Sequence, residues 1–274
     1  MEKFVLLHNN FYTKSSNVLT KTSKTLLEML EIRIDSTKQI LVESKFLPFI
    51  EEGIPYYSKL FKAFLEILET DKIPLCCDSQ TLLAYQNLLA LLQENADFRE
   101  KIIKDSKENI NLFELDKTLT FLPQLIFERL DKTKIINQRW SSFKCGLIVD
   151  RELERFLKDW WIVEKLERVS GLRVQTFFKE SYAYLLNHNA NLAYKMASKD
   201  YYEITDCGVD FIATFNIEDF HLFDEQSLKI KKASGRDDLE VPILFLPQII
   251  LLLLENTKTH TLCFNEHQIT PKMI

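Results

Sequence analysis

The sequence predicts an α/β protein of two pseudo-symmetric lobes, each a small, mainly parallel sheet with flanking helices, and three observations carry that expectation. Short apolar runs of strand length alternate with longer segments of helical period. The same order of elements is read twice along the chain. The 274 residues, 46% of them hydrophobic, suffice for two cores of ordinary size.

The repeat is clearest where Phe121-Leu122-Pro123-Gln124-Leu125-Ile126 returns as Phe245-Leu246-Pro247-Gln248-Ile249-Ile250. Phe4 to His8 then matches Gly146 to Asp150, Leu30 to Ile34 matches Val169 to Val174, and Glu43-Ser44 matches Glu180-Ser181. Ile73 to Cys76 is set against Ala213 to Asn216. In the first half, strands are expected near 3–8, 39–43 and 72–76. Between them, 16–31 carries Val18, Leu19, Leu26, Leu27 and Leu30 at helical spacing, and 55–69 carries Leu60, Phe61, Phe64, Leu65 and Leu68. Asp78 or Ser79 suits the N-cap of a third helix, with Leu82, Leu83, Leu88, Leu89 and Leu92 on its apolar positions. In the second half, strands near 145–149, 173–177, 210–215 and 242–246 alternate with helices near 152–169, near 182–205 and from Pro247, where proline fits a first turn. These lengths suit βαβ units and parallel pairing. The two repeats are placed at 1–135 and 136–274, and the boundary stretch 131–142 contains no Gly/Ser linker.

Composition removes several function classes. Twenty Phe stand against five Gly, and neither GxGxxG nor GxxxxGK[ST] occurs, so nucleotide binding through glycine-rich phosphate loops is not expected. A net charge of -5, with Lys and Arg interleaved among Asp and Glu, offers no footprint for nucleic acid. The most hydrophobic run, Ile243 to Leu254, contains Pro247 and Gln248 and is too short to cross a bilayer core of about 30 Å. The first ten residues lack the apolar stretch and cleavage site of a signal peptide. A cytoplasmic protein without direct membrane insertion is expected, its polar 256–274 segment forming a loop or an exposed extension.

Several segments carry a family resemblance. Asp206-Cys207-Gly208-Val209-Asp210-Phe211-Ile212-Ala213-Thr214 looks like a "GAD-x-I-V-T" strand, and Val241 to Gln248 looks like a "P-V-L-Y-L-T-Q-L" segment. Leu75-Cys76-Cys77-Asp78-Ser79 is similar to an "L-C-x-x-C" helix start, and Asn95 to Lys101 to its "N-x-x-x-R-E-K" continuation. In this order and over almost the whole chain, they resemble the CCG-domain (cysteine-rich domain) proteins typified by the cysteine-rich subunit of heterodisulfide reductase. The resemblance implies iron–sulfur ligands in each lobe: a lone cysteine after the first strand, an adjacent pair after the second and a CxxC after the third. Carried across, the lone position falls near Asn10 and Arg151, the pair on Glu43-Ser44 and Glu180-Ser181, and the CxxC on Cys76 and Ser79, then on Asn216 and Asp219. Only Cys76 remains a thiol, with Cys77 beside it. Soft thiolates hold such clusters and hard oxygen donors replace them poorly, so no cofactor and no metal are expected.

The residues alone suggest further candidates. Cys76 and Cys77 stand where a strand meets a helix N-terminus, a place that lowers a thiol pKa, although free cysteine also packs as a small hydrophobe. Cys145, Cys207 and Cys263 bring the total to five at irregular spacing without a zinc pattern, so reduced thiols are expected. Asn216, Asp219, His221 and Asp224 form a polar run that suits either a hard metal or helix capping. Glu43 and Glu180 would make a paired acid site at strand ends. Trp160, Trp161, Tyr201 and Tyr202 fit an interaction surface or the core. The five histidines stand in unrelated contexts, and no Ser/His/Asp triad is formed from them. The expected role is a non-catalytic relative of the reductase's cysteine-rich subunit, binding protein partners in a redox-related complex; the alternative is a thiol-based redox enzyme or sensor using Cys76 or Cys77.

Overall fold

A computed structural model describes residues 3–42, 50–68, 72–106, 119–130, 138–153, 161–236, 240–254 and 259–272. The chain divides into two compact units, one of 1–11 with 32–125 and one of 12–31 with 126–274.

The first unit is built on β1 (Phe4–Asn9), β2 (Ile34–Ile40), β3 (Ile73–Cys76) and β4 (Thr120–Phe121), all parallel, in the order β2-β1-β3-β4. Every residue of β1 is buried, as a central parallel strand covered on both faces requires. β2 lies at the edge and reads Ile34-Asp35-Ser36-Thr37-Lys38-Gln39-Ile40, which corrects the strand expected near 39–43. An edge strand tolerates polar side chains, so an apolar run is a poor guide to it. The two-residue β4 was not expected as a strand, although its place in the repeat was. Helices α2 (Ile50–Leu68), α3 (Ser79–Glu94) and α4 (Ala96–Ser106) belong to this unit. Leu82, Leu83, Leu88, Leu89 and Leu92 of α3 are all buried, and Asn95 ends α3 and caps α4, its Oδ1 accepting from Phe98 N–H at 3.0 Å.

The second unit repeats the plan with β5 (Lys144–Asp150), β6 (Arg173–Lys179), β7 (Phe211–Thr214) and β8 (Ile243–Phe245), parallel in the order β6-β5-β7-β8. Helix α1 (Thr13–Met29) follows β1 in sequence but belongs to this unit. Helix α5 (Leu122–Arg129) spans the division at 125–126. Then come α6 (Trp161–Ser170), α7 (Leu186–Thr205), α8 (Ile217–Phe220), a π-helical turn at His221–Glu225, α9 (Ser227–Ser234) and α10 (Leu246–Leu253). The helix expected near 152–169 is described only from Trp161, since 154–160 and the Trp161 side chain lie outside the described residues. The helix expected near 182–205 begins instead with a 3-10 turn at Ala183–Leu185 and is broken at Asn189. β5 and α7 approach closely because Gly146 has no side chain: a Cβ there would stand 2.6 Å from Ile204 Cγ2. Tyr201 and Tyr202 are buried, and the Tyr201 hydroxyl donates to Val241 C=O and accepts from Val241 N–H, so these aromatics pack inside. Among the described residues, no helix is long and apolar enough to cross a membrane.

Candidate functional site

In both units the second strand lies on one side of the first and the third strand on the other. The chain thus leaves the first strand in opposite directions, and this opens a crevice at the carboxyl ends of the first and third strands.

At that place in the first unit stands Asn9. Its Oδ1 accepts from Val42 N–H and Phe11 N–H, both at 3.0 Å, and its Nδ2 donates to Val42 C=O at 2.9 Å and Gln80 Oε1 at 3.3 Å. One buried amide ties the ends of β1 and β2 to the first turn of α3. Asp78 caps α3, its carboxylate accepting from Thr81 N–H and Thr81 Oγ1, both at 2.8 Å. Burial outweighs those bonds and pushes its carboxyl up to about 6. Cys76 ends β3 with no exposure, and burial, then Asp78 and Cys77, push its thiol well above the usual range. For Cys76 burial acts against the activation expected of a strand-to-helix junction: the thiol sits before the helix cap in an apolar, anion-bearing environment, where desolvation is the largest influence. Cys77 is buried as well and donates its N–H to Leu7 C=O at 3.1 Å. Ser79 is buried, and Asn10 is half-buried with its N–H bonded to Ile40 C=O. Glu43 and Ser44 lie outside the described residues.

In the second unit the same position is taken by Asp150, whose Oδ1 accepts from Glu152 N–H at 3.0 Å, as Asn9 accepts from Phe11. Leu7 pairs with Cys76 and Ile148 with Thr214, while Cys76 pairs with Phe121 and Thr214 with Phe245. The two registers set Cys76 against Thr214 and Asp78 against Asn216. The repeat correspondence of Cys76 with Asn216 read from sequence is therefore displaced by two residues. Asn216 caps α8, its Oδ1 accepting from Glu218 N–H at 2.8 Å. Asp219 is buried; the Thr214 hydroxyl donates to it at 3.3 Å and Ser181 bonds it as well. Burial first, then the charges of Asp150 and Glu218, push the Asp219 carboxyl up to about 8, so it is mostly protonated at neutral pH. Arg151 and Glu180 are exposed at the rim, the Arg151 Nε donating to Phe178 C=O at 3.4 Å.

The polar run from Asn216 to Asp224 does not converge on one point. The π-helical turn aims His221 at Glu225, with Nδ1 3.1 Å from Oε2, and stacks its ring on Tyr12 at 4.0 Å. Asp224 accepts from the backbone N–H groups of Gln268 and Ile269 at 2.9 and 3.2 Å. His267, on the same segment, has its Nδ1 3.7 Å from Asp224. Gln248 accepts from Phe245 N–H, so its Nε2 donates to Leu262 C=O at 2.7 Å and to His267 Nε2 at 2.8 Å, which leaves the His267 proton on Nδ1. Burial holds His267 down to about 4 and raises Asp224 to about 6. Sequence reading missed these pairings because His221 and Glu225 become neighbours through a π-helical turn, and His267 meets Asp224 across a long stretch of chain. Among the described residues, no three His, Cys, Asp or Glu side chains are grouped to hold a metal ion.

Residues 182–268 match the model of the HdrB-like C-terminal domain, and the matched stretch holds Asn216, Asp219 and the whole π-helical turn. That stretch of the second unit is similar to an HdrB-like C-terminal domain. A crystal structure of a hypothetical protein from Helicobacter pylori shares the fold of this chain, with a TM-score of 0.73 over 97% of this chain at 18% identity. This chain spans 53% of that protein's length. A maleate isomerase from Pseudomonas putida, solved with maleate, is matched at a TM-score of 0.30 and 9% identity over 92% of each chain. A periplasmic sugar binding protein from Legionella pneumophila is matched at 0.33 and 10%, over 99% of this chain and 97% of that one. No curated protein matches.

An iron–sulfur cluster needs several thiolates around one point. At the described strand ends the sulfur donors are Cys76 and Cys77, both buried, and the other groups are amide, hydroxyl and carboxyl oxygens, with Asn9, Asp78, Asn216 and Asp219 bonded to their surroundings. Cys145 lies at the amino end of β5, Cys207 follows α7 and Cys263 lies near the carboxyl terminus. This donor set does not fit a cluster.

Proposed function

We propose that the chain is a non-catalytic, HdrB-like relative of the cysteine-rich heterodisulfide reductase subunit, a binding or assembly component of a cytoplasmic redox-related complex that carries no iron–sulfur cluster. The observation that carries this reading is the internal bonding of the strand-end sites. Asn9, Asp78 and Asn216 use their polar atoms to hold strand ends and helix starts, so these positions serve the fold instead of a cofactor. The buried thiols of Cys76 and Cys77 give a redox sensor no accessible thiolate, and no observation favours that alternative.

Two measurements together test the proposal. Purified protein is offered a mixed disulfide with reduced viologen as electron donor, and no turnover is expected. The complex isolated from the source cell through a tag on the native gene is analysed by native mass spectrometry, and a stoichiometric assembly with a redox protein is expected. Disulfide turnover, or a strictly solitary protein, contradicts the reading.

A further inference from the structure

We propose that the groove between α7 and α9 is a docking site for an acidic, amphipathic helical segment of a partner protein; that a partner exists rests on the assembly reading above. The groove has a volume of about 460 Å³ and is lined by Asn191, Tyr194 and Lys195 from α7 and by Lys229, Lys232 and Ala233 from α9. All three lysines are exposed, and none has a carboxylate within ion-pair distance among the described residues. Lys229 is held in place: its Nζ donates to the Tyr194 hydroxyl at 3.2 Å and lies 5.4 Å from the centre of that ring, while the hydroxyl donates to Gln226 Oε1 at 3.4 Å.

The break in α7 adds to this positive potential. Asn189 is non-helical, with φ -151 and ψ 82, and its Oδ1 accepts from Leu192 N–H at 3.1 Å. Asn189 thereby acts as the working N-cap of the long run to Thr205, and the positive end of that run lies at Asn191, on the groove wall.

Exposed apolar residues stand next to the groove-lining positions along both helices, outside the lining itself. Leu192 is 42% exposed and Leu228 is 61% exposed, and these are two of the three large exposed hydrophobic residues among the described residues. Leu192 stands three positions before Lys195, and Leu228 four before Lys232, so each leucine shares a helix face with a groove lysine. Uncovered leucines beside unpaired lysines are the complement of a segment that carries glutamate or aspartate next to leucine or phenylalanine. The whole chain has a net charge of -5, so the positive charge is local to this recess, which suits a short acidic segment better than an extended nucleic-acid polyanion. A bilayer surface pairs with a protruding apolar face, whereas here the lysines line the walls of a recess between two helices.

The test uses a fluorescein-labelled synthetic peptide that forms a helix with glutamates on one face and leucines on the other. The controls are a peptide of the same composition with its faces scrambled, and anionic vesicles of phosphatidylserine in phosphatidylcholine. Fluorescence anisotropy with the full chain is expected to show binding of the amphipathic peptide alone, weakening as salt rises. The triple variant K195E/K229E/K232E and the double variant L192D/L228D are each expected to weaken binding by about tenfold or more. All five side chains are exposed, and circular dichroism checks that the variants fold. Equal binding of both peptides, indifference to charge reversal, no binding at all, or binding of vesicles in place of peptide overturns the proposal. If disulfide turnover is found while peptide capture still depends on the lysines, the assembly reading falls and the groove stands; a cluster-free member of a hetero-assembly whose groove ignores the peptide gives the reverse result.

Discussion

At the end of β1, Asn9 commits both halves of its amide to Val42, Phe11 and Gln80, whereas at the end of β5 Asp150 holds Glu152 N–H with one oxygen and adds a negative charge beside Asp219. The two positions share a backbone plan and differ by a single functional group. A neutral amide that donates and accepts can close a strand-end crevice upon itself. A carboxylate only accepts, so the second crevice gathers acids and keeps one of them protonated instead.

The largest expected effect separates the two positions directly. Asn9→Leu leaves the Val42 N–H and C=O without their partner and is expected to cost about 3 kcal/mol in urea unfolding. Asp150→Asn keeps an acceptor for Glu152 N–H and removes a charge near Asp219, so its effect is expected within about 1 kcal/mol of zero. Similar losses in both variants erase the distinction.

Acid–base behaviour sharpens the comparison. The folded Asp219 carboxyl lies at about 8, above its unfolded value near 4, so the folded state is favoured while the group is protonated. That contribution is complete below about pH 4 and is lost as pH rises to about 8. Asp78, at about 6, loses its smaller contribution between about pH 4 and 6. Asp219→Asn is therefore expected to raise stability at pH 8 relative to wild type by an amount on the order of a few kcal/mol, and to flatten the decline between pH 6 and 8. Unfolding curves across this range check it, and an unchanged slope contradicts it.

Much of this was legible in the sequence. The doubled α/β plan followed from apolar runs and helical periods, and the Phe-Leu-Pro-Gln echo lies on equivalent strand ends, Phe121 and Phe245, in the two registers. The polar edge strand β2 escaped because pairing, not hydrophobicity, makes it a strand. The two-residue displacement at Cys76 escaped because β3 and β7 are only four residues long and their apolar residues allow several alignments. The burial of Cys76 and Cys77 escaped because it is a property of the folded neighbourhood, not of a strand-to-helix junction. The groove lysines carried no signal at all, since Lys195, Lys229 and Lys232 converge only when α7 and α9 pack together.

Thiol labelling gives a smaller test of the same contrast. Cys207 is half-exposed and is expected to react first with an aromatic disulfide reagent at neutral pH. Cys76 and Cys77 are expected to react on the order of a hundredfold more slowly, because their modification requires local opening. Equal rates break the account of a closed first crevice. The smallest effect is expected at the end of α9, where Gly235 adopts φ +70 as a C-cap, and Gly235→Ala is expected to cost about 1 kcal/mol.

Iron and acid-labile sulfide, assayed after anaerobic reconstitution of the full chain together with a visible absorption spectrum, test the central claim most directly. A colourless protein with no stoichiometric iron is expected, the same for wild type and Cys76→Ser. A brown protein with stoichiometric iron and sulfide that are lost in Cys76→Ser would contradict the claim that the two strand-end sites are closed by oxygen and amide chemistry.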